Sequence, residues 1–285
     1  MPLINLKAAE SFVEGLDHPE GIAFGPDGKV YAGGEAGQVY RIDYETRNVE
    51  EYANTGGLNL GMALDAAGNV YICTPGRKAV LKVMPTGEVS VYSRGIAERP
   101  MITPNYPAFG ADGCLYVTDS GNWHADNGCI YAIAPDGATS IIDTENCQFP
   151  NGCALSPDGR HLYIVMSVNM PRVVRFSVAA GRKTGRTETV VELPHTVPDG
   201  LAFCSNGDFL VSCYRPDSIF HVSAAGDVNI LMDDYEGTLL GAPTNVCFCG
   251  ADLSVLLWGN LGRWHIGRHT RTGLNGSPLF CPDFR

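Results

Sequence analysis

Short apolar runs separated by glycine, proline and acidic turn residues recur along the chain, and no stretch carries a helical period. The clearest unit is His18–Val30, HPEGIAFGPDGKV. It reads as a turn, an apolar strand, a Gly-Pro-Asp-Gly hairpin and a second strand. The unit returns in variant form, and its copies align on the turn glycine: Gly28, Gly68, Gly113, Gly159 and Gly207, with Leu253 in that place in the sixth copy. Successive anchors lie 40, 45, 46, 48 and 46 residues apart. A period of this size with hairpin turns signals one supersecondary unit per repeat. Four short strands fill such a unit, as in a propeller blade. The pattern therefore predicts an all-β protein: a six-bladed β-propeller forming one closed domain over residues 1–285.

The position eight residues before each anchor reads Glu20, Leu60, Asn105, Asn151, Asp199 and Asn245. It opens the first strand of each blade, the strand that lines the channel of a propeller. Side chains alternate along a strand, so equivalent positions project alike, and the six form a candidate ring around one axis. Five of the six carry oxygen acceptors, and their neighbours, such as Ile22-Ala23-Phe24, are apolar. A polar group among buried strands needs a partner. Asn and Asp at strand starts can find one in the local backbone, but Glu20 is a poor turn residue. The other reading is a hard divalent cation on oxygen ligands, calcium or magnesium by ligand type. Leu60 offers no ligand; Asn59 beside it points to the other face unless a bulge turns it inward.

Residues 1–17 precede the first anchor and have no blade of their own. The strand-like Glu10–Glu14 is expected to supply the outer strand of the last blade, closing the ring and removing an exposed edge. The loops between second and third strands should crowd around the same mouth as the column. They bring Trp123, His124, Asn169, Met170, Tyr214, Arg215 and Trp264, of which Trp123, His124, Asn169, Tyr214 and Arg215 are candidate substrate contacts. His18 and His195 precede column residues by a few positions and are candidates for contacts around the site.

Composition narrows the partners. The 34 Gly and 18 Pro fit many turns, and the net charge of −11 without a basic run speaks against nucleic acid or an anionic membrane. No apolar run approaches the ~20 residues of a membrane span, and MPLINLKAAESF lacks a signal-peptide core. A cytoplasmic protein, monomeric or a small homo-oligomer, acting on a small molecule, is the expectation. The ten cysteines show no CxxC spacing and read as small buried hydrophobes rather than disulfides or zinc ligands. There is no GxSxG elbow, Walker loop or HExxH motif.

With the blades laid out, HPEGIAFGPDGKVYAGGEAGQVYRI, FPNGCALSPDGRHLYIVMS and VPDGLAFCSNGDFLVSCYRPDSIFHV resemble the gluconolactonase, senescence-marker-protein and luciferin-regenerating-enzyme-like family. The resemblance implies a six-bladed propeller with one divalent metal ion in the channel. By the family's motifs the metal ligands fall on Glu20, Asn151 and Asp199, and a further Asn that contacts substrate or metal falls on Asn105. Calcium is the foremost candidate, while the column alone would also serve magnesium, manganese, zinc or iron. The Arg that the family carries shortly before that last Asn is missing, Thr103-Pro104 standing there, so the resemblance does not carry a sugar-lactone substrate onto this chain. HPEGIAF and LNLGMALDAAGNVY also resemble strictosidine-synthase-like propellers, which share the fold without needing a metal.

The function expected is lactonase-type hydrolysis of a small lactone or related ester. A metal on Glu20, Asn105, Asn151 and Asp199 would polarise the carbonyl and activate water. Asp199 is the expected general base, partly on the resemblance. The rivals are another hydrolase or lyase on the same site, a metal-free strictosidine-synthase-like enzyme, and a non-catalytic ligand-binding propeller.

Overall fold

The computed structural model describes residues 2–284. Blade one comprises Ile22–Phe24, Lys29–Gly33, Gln38–Asp43 and Val49–Asn54, an antiparallel sheet in chain order. Blades two, three and five repeat this plan from first strands Met62–Leu64, Pro104–Phe109 and Val197–Phe203. Blade four, from Pro150–Leu155, has Glu188–Glu192 as its outer strand and adds one short strand, Arg182–Lys183, both pairing with Arg172–Ala179. Blade six has three strands of its own, Pro243–Cys249, Val255–Asn260 and His265–His269, and takes Glu10–Glu14 as its outer strand. That closure is the one expected, with Glu10 opposite Arg268 and Glu14 opposite His265. Arg268 and Arg47 both pair with the Glu10 carboxylate and both lie over the Phe12 ring.

The turn anchors explain why the repeat folds alike each time. Gly28, Gly68, Gly113, Gly159 and Gly207 all have φ between +71° and +90°, a conformation that costs glycine little. Leu253 adopts the same left-handed turn at +53°, so the sixth copy keeps the geometry without the residue that favours it. An aspartate in three of these hairpins accepts from a tyrosine on the returning strand: Tyr31 to Asp27 at 2.9 Å, Tyr71 to Asp65 at 3.1 Å and Tyr116 to Asp112 at 3.0 Å.

The core is divided among the blade interfaces. Ala23, Tyr31 and Val39 of blade one pack on Met62, Leu64 and Ile72 of blade two, and corresponding clusters follow around the circle to the one joining Phe12 and Leu257 of blade six to Ile22 and Ile42 of blade one. Burial of this kind, at roughly 25 cal/mol per Å², requires neighbouring blades to be present together. Each first strand also packs on the next, from Ile22–Phe24 round to Pro243–Cys249 and back.

Residues 274–284 lie across the channel end opposite the ring. Ser277 N–H donates to Phe203 O at 2.9 Å, and Ala66 N–H donates to Pro282 O at 3.0 Å. Phe284 meets Phe109 with ring centroids 5.9 Å apart. Between this strap and the ring is a cavity of about 690 Å³ lined by Ile22, Met62, Ala108, Leu201 and Phe280 among others. The ten cysteines are free thiols, and all but Cys147 and Cys281 are buried.

Candidate functional site

The closed circle of first strands gathers the predicted column. Glu20, Asn105, Asn151, Asp199 and Asn245 are each at most 6% exposed. Asp199 is near enough to act electrostatically on Glu20, and Asn151 on Asp199. Among the described residues, five of these side chains hold a buried oxygen with no hydrogen-bond partner: Glu20 Oε2, Asn105 Oδ1, Asn151 Oδ1, Asp199 Oδ1 and Asn245 Oδ1. Each unpaired atom costs on the order of 1–3 kcal/mol in isolation. The local-backbone reading of the column therefore does not account for these oxygens.

Glycines make the close approach possible. A Cβ on Gly21 would stand 1.9 Å from Leu60 O, and one on Gly152 would stand 2.4 Å from Asp199 O. Bare backbone at these positions, each just after a column residue, lets adjacent first strands touch at the level of the ring.

Hydroxyls and amides then stitch the strands together. Gly61 N–H donates to Asn105 O at 2.9 Å. Thr118 donates to Asn151 O at 2.7 Å, and Ser120 to Pro150 O at 2.8 Å. Ser167 donates to Pro198 O at 2.6 Å, Ser212 to Thr244 O at 2.5 Å, and Thr244 to Glu20 O at 2.9 Å. These hydroxyls come from second strands or from first strands and reach the backbone beside a column residue in the next blade. They were not singled out from the sequence. The signal was present as a Ser or Thr late in the second strand and a Gly after the column residue.

Two carboxylates in so dry a place resist ionisation. Burial pushes Glu20 well above the usual carboxylate range, and the neighbouring Asp199 charge adds to the effect. Burial likewise raises Asp199, with the Asn151 amide partly offsetting it. An oxygen-only donor set with two carboxylates and several orphaned carbonyl oxygens fits a hard divalent cation. Asn245 belongs to this set by geometry, although the sequence reading did not count it among the ligands.

Other expectations fare differently. Asn59 does not turn into the ring: its Oδ1 accepts from Thr55 at 2.7 Å and Thr74 at 3.2 Å, and its Nδ2 donates to Gln38 O at 2.9 Å. Leu60 holds the sixth ring position, 8% exposed and packed in the core between blades two and three. Trp123 is 52% exposed, its ring 5.0 Å from His124 and 4.7 Å from Phe149. Asn169 donates to Asp126 at 2.8 Å, tying the loops of blades three and four. Arg215 pairs with Asp217 at 2.6 Å and lies over the Tyr214 ring. His18 sits on Trp264 with centroids 5.1 Å apart, its Nδ1 3.2 Å from Asp17 and 3.1 Å from Glu35. Met170 is exposed on the blade-four loop, and His195 takes a left-handed turn at φ +63°.

Comparison with known proteins agrees with the fold. Residues 88–258 match the family model described as the SMP-30/gluconolactonase/LRE-like region, and residues 5–42 match the strictosidine synthase-like N-terminal model. A gluconolactonase of Zymomonas mobilis is 29% identical over 208 residues, 66% of this chain and 57% of that protein. Protein STRICTOSIDINE SYNTHASE-LIKE 6 of Arabidopsis thaliana is 28% identical over 233 residues, 74% of this chain and 61% of that protein. The chain thus spans about 60% of the length of the curated relatives it matches. Among solved structures, a gluconolactonase from Xanthomonas campestris superposes with a TM-score of 0.78 at 19% identity, covering 94% of this chain and 89% of that one. A calcium-binding regucalcin from Agrobacterium tumefaciens gives 0.77 at 19% identity, covering 96% of both. With more than half its length matched by one family model, and with a six-bladed ring of the same fold as these structures, the chain belongs to the SMP-30/gluconolactonase/LRE-like family.

Proposed function

We propose that the protein is a metal-dependent hydrolase that opens a small lactone or related ester at the ring. The observation that carries this reading is the set of buried oxygens without partners on Glu20, Asn105, Asn151, Asp199 and Asn245. These residues would hold the cation, and calcium is the first candidate because the donors are oxygen only and the regucalcin of similar fold is a calcium-binding protein. A cation bound there supplies Lewis acidity toward the ester carbonyl and toward water.

The chain's own residues do the rest. Asp199, held as a carboxylate beside the cation, would accept the proton of the attacking water. Water adds to the carbonyl carbon, the ring C–O bond breaks, and the same proton passes from Asp199 to the departing alkoxide oxygen, giving the hydroxy acid. Glu20 stays a holder of charge, its backbone fixed by Thr244. Asn105 faces the same space and would touch both cation and substrate. Trp123, His124 and Asn169, on loops between second and third strands, and Tyr214 and Arg215, which end the second strand Phe209–Arg215 of blade five rather than lying on its loop, would contact the rest of the substrate. Thr103-Pro104 stand where the family carries its Arg, so the family resemblance does not extend a sugar-lactone substrate to this site.

The test is metal content of the purified protein with lactone hydrolysis assayed before and after chelation, alongside Asp199→Asn. About one divalent ion per chain, activity lost on chelation and restored by calcium, and a metal-loaded but inactive Asp199→Asn variant are expected. Full activity in chelator would overturn this reading in favour of a metal-free enzyme of the strictosidine-synthase-like kind.

A further inference from the structure

An asparagine side chain has an oxygen end and an NH₂ end of nearly equal shape, and only the oxygen end can bind a cation. Something must decide which end faces the axis. At Asn105 the Nδ2 donates to Ser120 Oγ at 2.9 Å, and Ser120 Oγ donates to Pro150 O at 2.8 Å. At Asn151 the Nδ2 donates to Ser167 Oγ at 3.1 Å, and Ser167 Oγ donates to Pro198 O at 2.6 Å. Both serines are at most 1% exposed, so water does not replace these contacts.

The directions follow from chemistry. A backbone carbonyl only accepts, so each serine's single proton is committed to it. The serine oxygen is then an acceptor toward the asparagine, and the amide must offer it the NH₂. The carbonyl oxygen is left to face the axis, and Asn105 Oδ1 and Asn151 Oδ1 are the atoms without partners. At Asn245, by contrast, both Nδ2 and Oδ1 lack partners among the described residues, so no hydroxyl fixes that amide.

We infer that Ser120 and Ser167 are positioning residues that set the amide orientation of Asn105 and Asn151, and so make two of the ring's oxygen ligands. The inference rests on the metal-ring reading above, but concerns cation affinity rather than hydrolysis. Each serine also ties the orientation to the backbone of the following blade, since Pro150 precedes Asn151 and Pro198 precedes Asp199.

Calcium titration calorimetry on the full chain tests this. Ser167→Ala should weaken calcium binding about 10–100-fold, the usual effect of losing a partner that orients a ligand. A carboxylate has no wrong end, so in an Asn151→Asp background the same Ser167→Ala change should cost less than about 2-fold. Ser120→Ala with Asn105→Asp provides the same cycle at the other position if either variant of the first pair fails to fold. Unchanged affinity in Ser167→Ala, or an equal loss in both backgrounds, would overturn the inference and leave the serines as blade fasteners only. If the unmodified protein takes up no calcium, magnesium or manganese, the metal reading itself falls, and the inference with it.

Discussion

Thr244 Oγ1 donates to the backbone carbonyl of Glu20 at 2.9 Å, joining residues 224 positions apart in the chain. The bond carries blade six to blade one at the level of the ring, and both residues are buried. Thr244→Val keeps the shape and removes the donor. It should destabilise the protein by about 1–3 kcal/mol and weaken calcium binding, with Glu20 no longer held. Denaturant unfolding and calorimetry check this; unchanged values in both would mean that Glu20 is placed by packing alone.

The outer strand of the last blade gives a separate test. Phe12 is 2% exposed, packed in the core between blades six and one and flanked by Arg47 and Arg268. Phe12→Ala should cost about 3–5 kcal/mol, seen as a lower denaturant midpoint. A loss below about 1 kcal/mol would show that closure does not depend on this strand.

The two ring carboxylates predict how the metal-free protein responds to pH. Burial raises Glu20 and Asp199 above their values in an unfolded chain. The folded state then holds protons that the unfolded state has released, so stability is full below the ordinary carboxylate range and is lost as pH rises through the folded values. In chelator the melting temperature should fall from about pH 5 toward about pH 8. Saturating calcium should remove most of that fall. A metal-free melting temperature that rises over this span would contradict the arrangement.

Gly152 separates what the repeat shows from what it hides. The six-fold period, the hairpin anchors and the polar column are all visible in one pass along the chain because they recur at fixed offsets. The Gly152 contact with Asp199 is not, because it depends on how near two blades come, and nothing in the period states a distance. Asn59 shows the same limit: its neighbours Thr55 and Thr74 satisfy it locally, which counting could not reveal. Gly152→Ala should force the first strands of blades four and five apart, lowering both melting temperature and calcium affinity. Wild-type behaviour on both would show that the strands have slack at the ring.

Thiol labelling offers a simple check on the packing. In the native protein Cys147 and Cys281 should react with a thiol reagent ahead of the others, since the other cysteines are buried. Rapid reaction of Cys153 or Cys247 would mean that the channel beneath the ring opens to solvent.

The strap of residues 274–284 also bears on traffic. That segment lies across the far end of the channel, held to Phe203, Ala66 and Phe109, and narrows that end for anything that approaches the ring. On the proposed hydrolase reading, product leaving the ring would then share the opposite mouth with arriving substrate, and accumulated hydroxy acid would compete with the lactone for that entrance.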